Sequence, residues 1–282
     1  MSDTSLKIKF EQLKNNLRQL ERLVVSFSGG VDSTFLLKVA HDVLQNNVLA
    51  VSARSSIFPK RELDEAVVFA ESQGIEHVIV DSEGLDIEGF SSNPPNRCYL
   101  CKTELLGKIR AFADSRGIPH IAEGSNANDD SDYRPGIQAV RECHVFSPLR
   151  QAGLTKNEIR QLSKELGLPT WNKQSFACLS SRFPYGETIS KERLQQIDRA
   201  EQFLLDNGFG QVRVRFHGNL ARLETDEAGF LRLTDSELRS RIYSEFKKIG
   251  FDYTALDLLG YRTGSMNETL AFTHLVPAEQ VE

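Results

Sequence analysis

Leu6, Phe10, Leu13, Leu17 and Leu20 recur at spacings of four and three, a stripe that predicts an amphipathic helix. LVVSF (23–27) follows as a continuous apolar run that predicts a buried strand, and STFLLKVAHDVL predicts a helix from Ser33. NVLAVSA, EHVIVD and PHIAEG read as a second, third and fourth strand. Between them, FPKRELDEAVVFAESQG and CKTELLGKIRAFADSRG read as helices, the first with Pro59 near its first position and Gly74 as its stop. Strands alternating with helices at this spacing predict an α/β class fold, a parallel, doubly wound sheet covered on both faces. TKNEIRQLSKELG then opens with the capping-box pair Thr155 and Glu158.

A polar loop, LPTWNKQSFACLSSRFPYGETIS, ends this regime. Beyond Ser190 the pattern becomes a helix to Gly208, two strands VRVRFH and LARLE, a helix from Thr234 and a strand YTALDL. This predicts two domains, 1–185 and a smaller C-terminal α+β domain at 186–282. In VRVRFH, Val212, Val214 and Phe216 fall on one face, and Arg213, Arg215 and His217 on the other. Two guanidiniums on one face can clamp a phosphate; a solvated strand face is the alternative.

The composition, 40% hydrophobic and 26% charged over 282 residues, is that of an ordinary globular protein. MSDTSLKIKFEQLKNN has no signal-type apolar core and no run reaches membrane-spanning length, so a cytoplasmic protein without a membrane partner is expected. A net charge of -5 turns the expectation from nucleic acid towards a small-molecule substrate. Acids outnumber bases in 191–282, a poor platform for a polyanion.

SFSGGVDSTF (26–35) carries the chemistry. Gly29 and Gly30 let backbone amides close on an anion, and the helix start behind them adds its positive end. The lysine of the common G-x-x-x-x-G-K-[ST] loop is missing. Ser28 and Ser33 offer hydroxyls, and Asp32 can hold a magnesium ion on phosphates. Such a pocket suits a departing pyrophosphate. The hexapeptide SGGVDS between strand and helix resembles the PP-loop ATP pyrophosphatase superfamily, with its adenine nucleotide alpha hydrolase-like fold, whose members adenylate their substrates. The ATP set expected is Ser26, Ser28, Gly29, Gly30, Asp32, Ser33, Ser52, Ala53 and Gly124. Asn126, Asp129 and Asp130, beyond the fourth strand, are candidates for completing the ATP and magnesium site.

NRCYLCK, GSNANDDSDYRPG, SPLRQAGLTKNEIR, ACLSSRFPYG and LDLLGYRTGSMN together resemble the LarE family, ATP-dependent sulfur transferases that build the nickel-pincer nucleotide cofactor of lactate racemase. The resemblance runs over nearly the whole chain. It implies adenylation of a carboxylate on a pyridinium biscarboxylate mononucleotide, attack by the Cys178 thiolate to form a thioester, and cleavage of the cysteine Cβ–S bond. The product would be a thiocarboxylate, with dehydroalanine left on the protein. Lys173 and Arg182 flank Cys178 in sequence and would depress its pKa if also near it in space. Arg182, Arg213 and Arg215 are the candidates for the substrate phosphate. A homo-oligomer and contacts with other enzymes of the cofactor pathway are further expectations.

Cys98 and Cys101 form a C-x-x-C pair, half a metal site. With Cys178 they resemble three-cysteine members of the family, which implies a [4Fe-4S] cluster, oxygen-labile, whose open iron carries an exogenous sulfide. Zinc with Cys143 or a histidine as fourth ligand, or two unligated thiols, are the alternatives. Rival functions are a transfer-RNA thiolase, an amide-forming synthetase and a non-catalytic nucleotide-binding module.

Overall fold

The apolar runs of the first half fold as the strands and helices that their patterns predict. The structure, a computed structural model, describes residues 3–131, 135–174 and 177–267. Two compact units emerge, Met1–Phe90 with Pro95–Phe176, and Ser91–Pro94 with Ala177–Glu282. Residues 91–94 thus leave the first unit briefly and belong to the second.

In the first unit the chain runs α1 (Asp3–Arg18), β1 (Leu23–Ser26), α2 (Val31–Leu44), β2 (Val48–Arg54), α3 (Lys60–Ser72) and β3 (Glu76–Asp81). It continues through α4 (Arg97–Ser115), β4 (His120–Ala122), α5 (Gly136–Glu142), α6 (Pro148–Gln151) and α7 (Lys156–Glu165). The four strands are parallel, in the order β3-β2-β1-β4. Alternation along the buried strands divides the core between the two faces. Leu23, Val25, Val48 and Ala50 pack with residues of α1, α2, α3 and α7. Val24, Leu49 and Val51 pack with residues of α4 and α5. That is the doubly wound arrangement, and β1 lies at its switch point, where open sheets bind ligands beyond the strand ends.

The predicted capping box closes in both directions, with Thr155 accepting from the Glu158 amide and Glu158 accepting from the Thr155 amide. Glu158 also takes Lys9 of α1 at 2.8 Å, which fixes where α7 begins. Phe146 adds an isolated parallel bridge to Ala122 that the pattern does not foretell.

The second unit contains α8 (Lys191–Asp206), β5 (Val212–His217), β6 (Leu220–Thr225), α9 (Glu227–Arg232), α10 (Ser236–Ile249) and β7 (Tyr253–Leu256). Its sheet has the order β5-β6-β7, antiparallel then parallel. Phe183, Phe216, Phe246 and Phe251 form a chain of ring contacts through its core. The excursion 91–94 is bonded into this unit. Asn93, buried and with φ of 55°, donates its side-chain amide to the carbonyls of Phe183 and Pro184. Its own carbonyl accepts from Gly186, and that of Ser91 accepts from Ile189. Among the described residues no helix is long and apolar enough to cross a membrane.

Candidate active site

The glycine loop joins β1 to α2 at the switch point. Gly29 has φ of +69°, where a side chain would be strained, and a Cβ there would press on Ala66 and on the Glu62 carbonyl of α3. Ser28 Oγ and Ser33 Oγ lie 3.0 Å apart, and Ser33 Oγ also donates to the Gly30 carbonyl, so two hydroxyls brace the loop from within. The amides of the first turn of α2 face outward, as at any helix start. Gly124, beyond β4, comes so close that a Cβ would meet the Ser33 amide nitrogen at 3.0 Å. These glycines keep a cradle open that any larger residue would fill.

Ser52 does not offer its hydroxyl outward. It is buried, donates to the Phe27 carbonyl at 2.6 Å and lies 2.8 Å from His77 Nε2, which fixes the end of β2 beside the loop. Ser26 is the last residue of β1, and Ala53 pairs with Val80 near the end of β2. Asn126 accepts the Asn128 amide, and Asp129 accepts the Asn126 amide, so the loop after β4 is internally tied. The Asp130 side chain lies outside the described residues.

Two lysines that no motif assigns to this loop reach it. Lys156, first residue of α7, meets Asp32 at 2.6 Å. Lys173 meets Glu62 at 2.8 Å and Glu65 at 2.7 Å, and donates to the Gly29 carbonyl. Burial alone would lower the Lys173 pKa, but the two carboxylates outweigh it and raise it. Its charge is committed there, whatever its sequence proximity to Cys178. Burial raises the pKa of Asp32, with Lys156 opposing. Asp32 Oδ1 is buried and has no hydrogen-bond partner among the described residues. An oxygen left open in this way, beside a cradle of amides, fits a magnesium ion carried by nucleotide phosphates.

Behind the loop, Glu123 is buried yet held below its usual pKa: burial opposes ionisation, but Lys102, Ser147 and Ser125 outweigh it. Lys102 donates to it at 3.0 Å. Neighbouring Cys98 and Cys101 occupy the first turns of α4, one helical turn apart. None of the four cysteines is in a disulfide. Among the described residues no group of three or more His, Cys, Asp or Glu is placed to hold a metal. The two thiols are suitable soft donors but do not make a metal site by themselves, and no step below is routed through a cluster.

In the second unit, Cys178 precedes a short 3-10 turn, Leu179–Arg182. Arg182 is fully buried and holds this turn. Its Nε and one Nη donate to the two oxygens of Glu201 at 2.9 and 2.8 Å. The other Nη donates to the carbonyls of Ala177 and Cys178 and to Ser181 Oγ. Burial alone would raise the Glu201 pKa, but Arg182 outweighs it and holds the carboxyl below its usual range.

Arg213 and Arg215 share a face of β5, as alternation predicts, but that face is not solvated. They are 7% and 5% exposed, so the solvated alternative does not hold. Arg215 donates to the Ser181 carbonyl at 3.0 Å and to Glu224 at 2.7 Å. Arg222 adds a second contact to Glu224 at 3.3 Å and one to Asp257 at 3.1 Å. Arg213 lies over the Tyr261 ring, and burial followed by the charge of Arg182 brings its pKa down to about 10. Thus Cys178, Arg182 and Arg215 are brought together, with Arg213 beside them.

Comparison with known proteins bears on both units. A family profile described as NAD synthase matches residues 7–111. An uncharacterized protein of Synechocystis sp. is 42% identical over 94% of this chain and 99% of its own. A glutamine-hydrolyzing GMP synthase component of Thermoplasma volcanium is 28% identical over 60% of this chain and 58% of its own. Pyridinium-3,5-bisthiocarboxylic acid mononucleotide synthase of Lactiplantibacillus plantarum is 38% identical over 96% of this chain and 98% of its own. With glycine loop, Cys178 turn and arginine strand all inside that near-complete match, the chain belongs to the LarE family of the PP-loop superfamily.

Proposed function

We propose that this protein is an ATP-dependent sulfur transferase acting on pyridinium-3,5-biscarboxylic acid mononucleotide. The observation that carries the reading is the pairing, in one chain of this family, of a lysine-free phosphate loop with a cysteine turn backed by buried arginines. A substrate carboxylate oxygen attacks the α-phosphorus of ATP, and pyrophosphate departs into the loop of Gly29, Gly30, Asp32 and Ser33. Magnesium, when bound with the nucleotide, neutralises phosphate charge there, and Asp32 is the residue that would hold it. The Cys178 thiolate attacks the acyl carbon and AMP leaves, giving a thioester. Removal of the Cys178 Cα proton and cleavage of its Cβ–S bond send the sulfur out as the substrate thiocarboxylate. Dehydroalanine remains.

The test is product analysis with ATP, magnesium and substrate. AMP and pyrophosphate are expected, with mass spectrometry showing loss of the elements of hydrogen sulfide at Cys178; ADP and phosphate would sink the reading. Asp32→Ala should slow pyrophosphate release by about 10²-fold or more, the scale for losing a group that stabilises developing charge. Arg213→Ala and Arg215→Ala should each weaken substrate by about 1.5–3 kcal/mol, roughly tenfold to a hundredfold, with ATP affinity nearly constant. Equal loss of ATP affinity would move the strand into the nucleotide site.

A [4Fe-4S] cluster shared by Cys98, Cys101 and Cys178 is the second reading, supported by two thiols at i, i+3 for which the sacrificial route has no use. Held there, such a cluster would supply a place for exogenous sulfide, and Cys178 would serve as a ligand instead of as the sulfur source. Anaerobic purification followed by iron and zinc analysis decides it: iron lost on Cys98→Ala supports the cluster, and zinc or no metal excludes it.

A further inference from the structure

Between Ser28 and Ser33, only the Gly29–Gly30 peptide is flanked on both sides by residues without a Cβ, so its plane turns over at the least cost. A trans peptide is planar, with its carbonyl and its N–H pointing in opposite directions. The described residues contain no cis peptide bond. Whichever way the Gly29 carbonyl points, the Gly30 N–H therefore points the other. One orientation offers an arriving anion a donor; the other offers it a carbonyl oxygen, which repels it. Gly29 is seated on α3, where a Cβ would meet Ala66 Cβ at 3.1 Å and the Glu62 carbonyl at 3.2 Å. Lys173 Nζ donates to the Gly29 carbonyl at 3.2 Å. The lysine is itself anchored on α3, by Glu62 at 2.8 Å and Glu65 at 2.7 Å, with 16% of its side chain exposed. Those two carboxylates keep it charged against burial. Lys173 is thus a clamp on the loop's backbone.

We infer that Lys173 is a positioning residue for pyrophosphate: by holding the Gly29 carbonyl back, it keeps the Gly30 N–H turned into the anion cradle. The inference rests on the ATP reading above. Lys173 makes no contact with phosphate in this scheme and acts only through the Gly29–Gly30 peptide. Gly30 caps α2, so its amide adds to the row of donors at the helix start. Without the clamp this peptide samples both orientations. An anion then has to select the competent one, and its apparent affinity falls with the competent fraction. The two glycines let the loop approach a phosphate closely, and Lys173 removes the ambiguity that they introduce.

Calorimetric titration with inorganic pyrophosphate and with AMP, both with magnesium, tests this, together with the amide resonances of isotopically labelled glycines. Lys173→Met should lose about tenfold or more in pyrophosphate affinity but under about threefold for AMP, because one charge-assisted donor is aimed away for most of the time. Lys173→Met combined with Glu62→Gln leaves no stranded carboxylate and should show the same loss, which separates the clamp from folding. The Gly30 amide resonance, single in wild type, should broaden or double in Lys173→Met, which removal of a charge alone would not produce. Lys173→Arg still donates to the carbonyl, and Glu65→Gln leaves the bond to Gly29 in place, so both should stay within about threefold of wild type. Lys173→Met that binds pyrophosphate as wild type does, or keeps one sharp Gly30 resonance, would overturn the inference while leaving the ATP reading intact. So would an equal loss for AMP, or a loss in Glu65→Gln as large as that in Lys173→Met. Wild type that binds neither probe would overturn both.

Discussion

Cys178→Ala should release pyrophosphate at the wild-type rate and transfer no sulfur. Adenylation uses the loop from Ser28 to Ser33, which belongs to the first unit, whereas Cys178 belongs to the second. The substitution removes the nucleophile of the proposed second step. Loss of an essential nucleophile costs about 10⁴-fold or more, so transfer should fall to background. Folding should hardly notice. The turn is held through backbone, by Arg182 on the carbonyls of Ala177 and Cys178 and by the Ser181 amide on the same Cys178 carbonyl. A partly exposed sulfur contributes little to that, and stability should stay within about 0.5 kcal/mol. Adenylated substrate should accumulate, and no thioester adduct should be seen by mass spectrometry. Undiminished sulfur transfer would make Cys178 a packing residue and return the mechanism to the start.

Glu201→Ala should be the most destabilising of the site substitutions, by about 3–5 kcal/mol in a urea titration, because it leaves a fully buried guanidinium without its carboxylate. The sign of the pH dependence follows from the lowered Glu201 pKa. Its contribution is complete above the unfolded carboxylate value, about 4.3, and is lost as pH falls through the lower folded value. Wild type should therefore weaken in acid over that window, and Glu201→Ala should lack this component. A double replacement, Arg182→Met with Glu201→Leu, separates fold from function. Stability should largely return, since apolar pairs of similar volume replace buried ion pairs at little cost. Sulfur transfer should not return, since the carbonyls of Ala177 and Cys178 then lose the guanidinium that donates to both, and the Cys178 carbonyl is left with the Ser181 amide. Recovery of transfer in the double variant would show that the pair serves stability alone.

The sequence carried most of the first unit because a doubly wound sheet writes its plan locally. Leu23, Val24 and Val25 must all be apolar when both faces of β1 are covered, and a capping box announces α7 within four residues. The bridge at Phe146 is a single residue, too short for any period. α9, at Glu227–Arg232, is too short for one as well. In β5 the alternation was legible, but the burial of Arg213 and Arg215 was not. It depends on Glu201 and Glu224, one on α8 and the other on β6, and nothing in VRVRFH names them. Lys156 was illegible for a related reason. Its partner Asp32 lies 124 residues away, and only its misfit with the helix dipole sets it apart.

Residues 91–94 bear on how such a protein can be inherited. The second unit owns four residues that the chain delivers long before the rest, and Asn93 and Ser91 hold Phe183, Pro184, Gly186 and Ile189. A fragment spanning Ala177–Glu282 would lack every one of those bonds and would have to leave the groups that made them to water or to one another. A single crossover between genes would therefore graft this unit onto a different phosphate-loop protein without those bonds. A graft that keeps these bonds needs a host whose sequence already contains the matching loop.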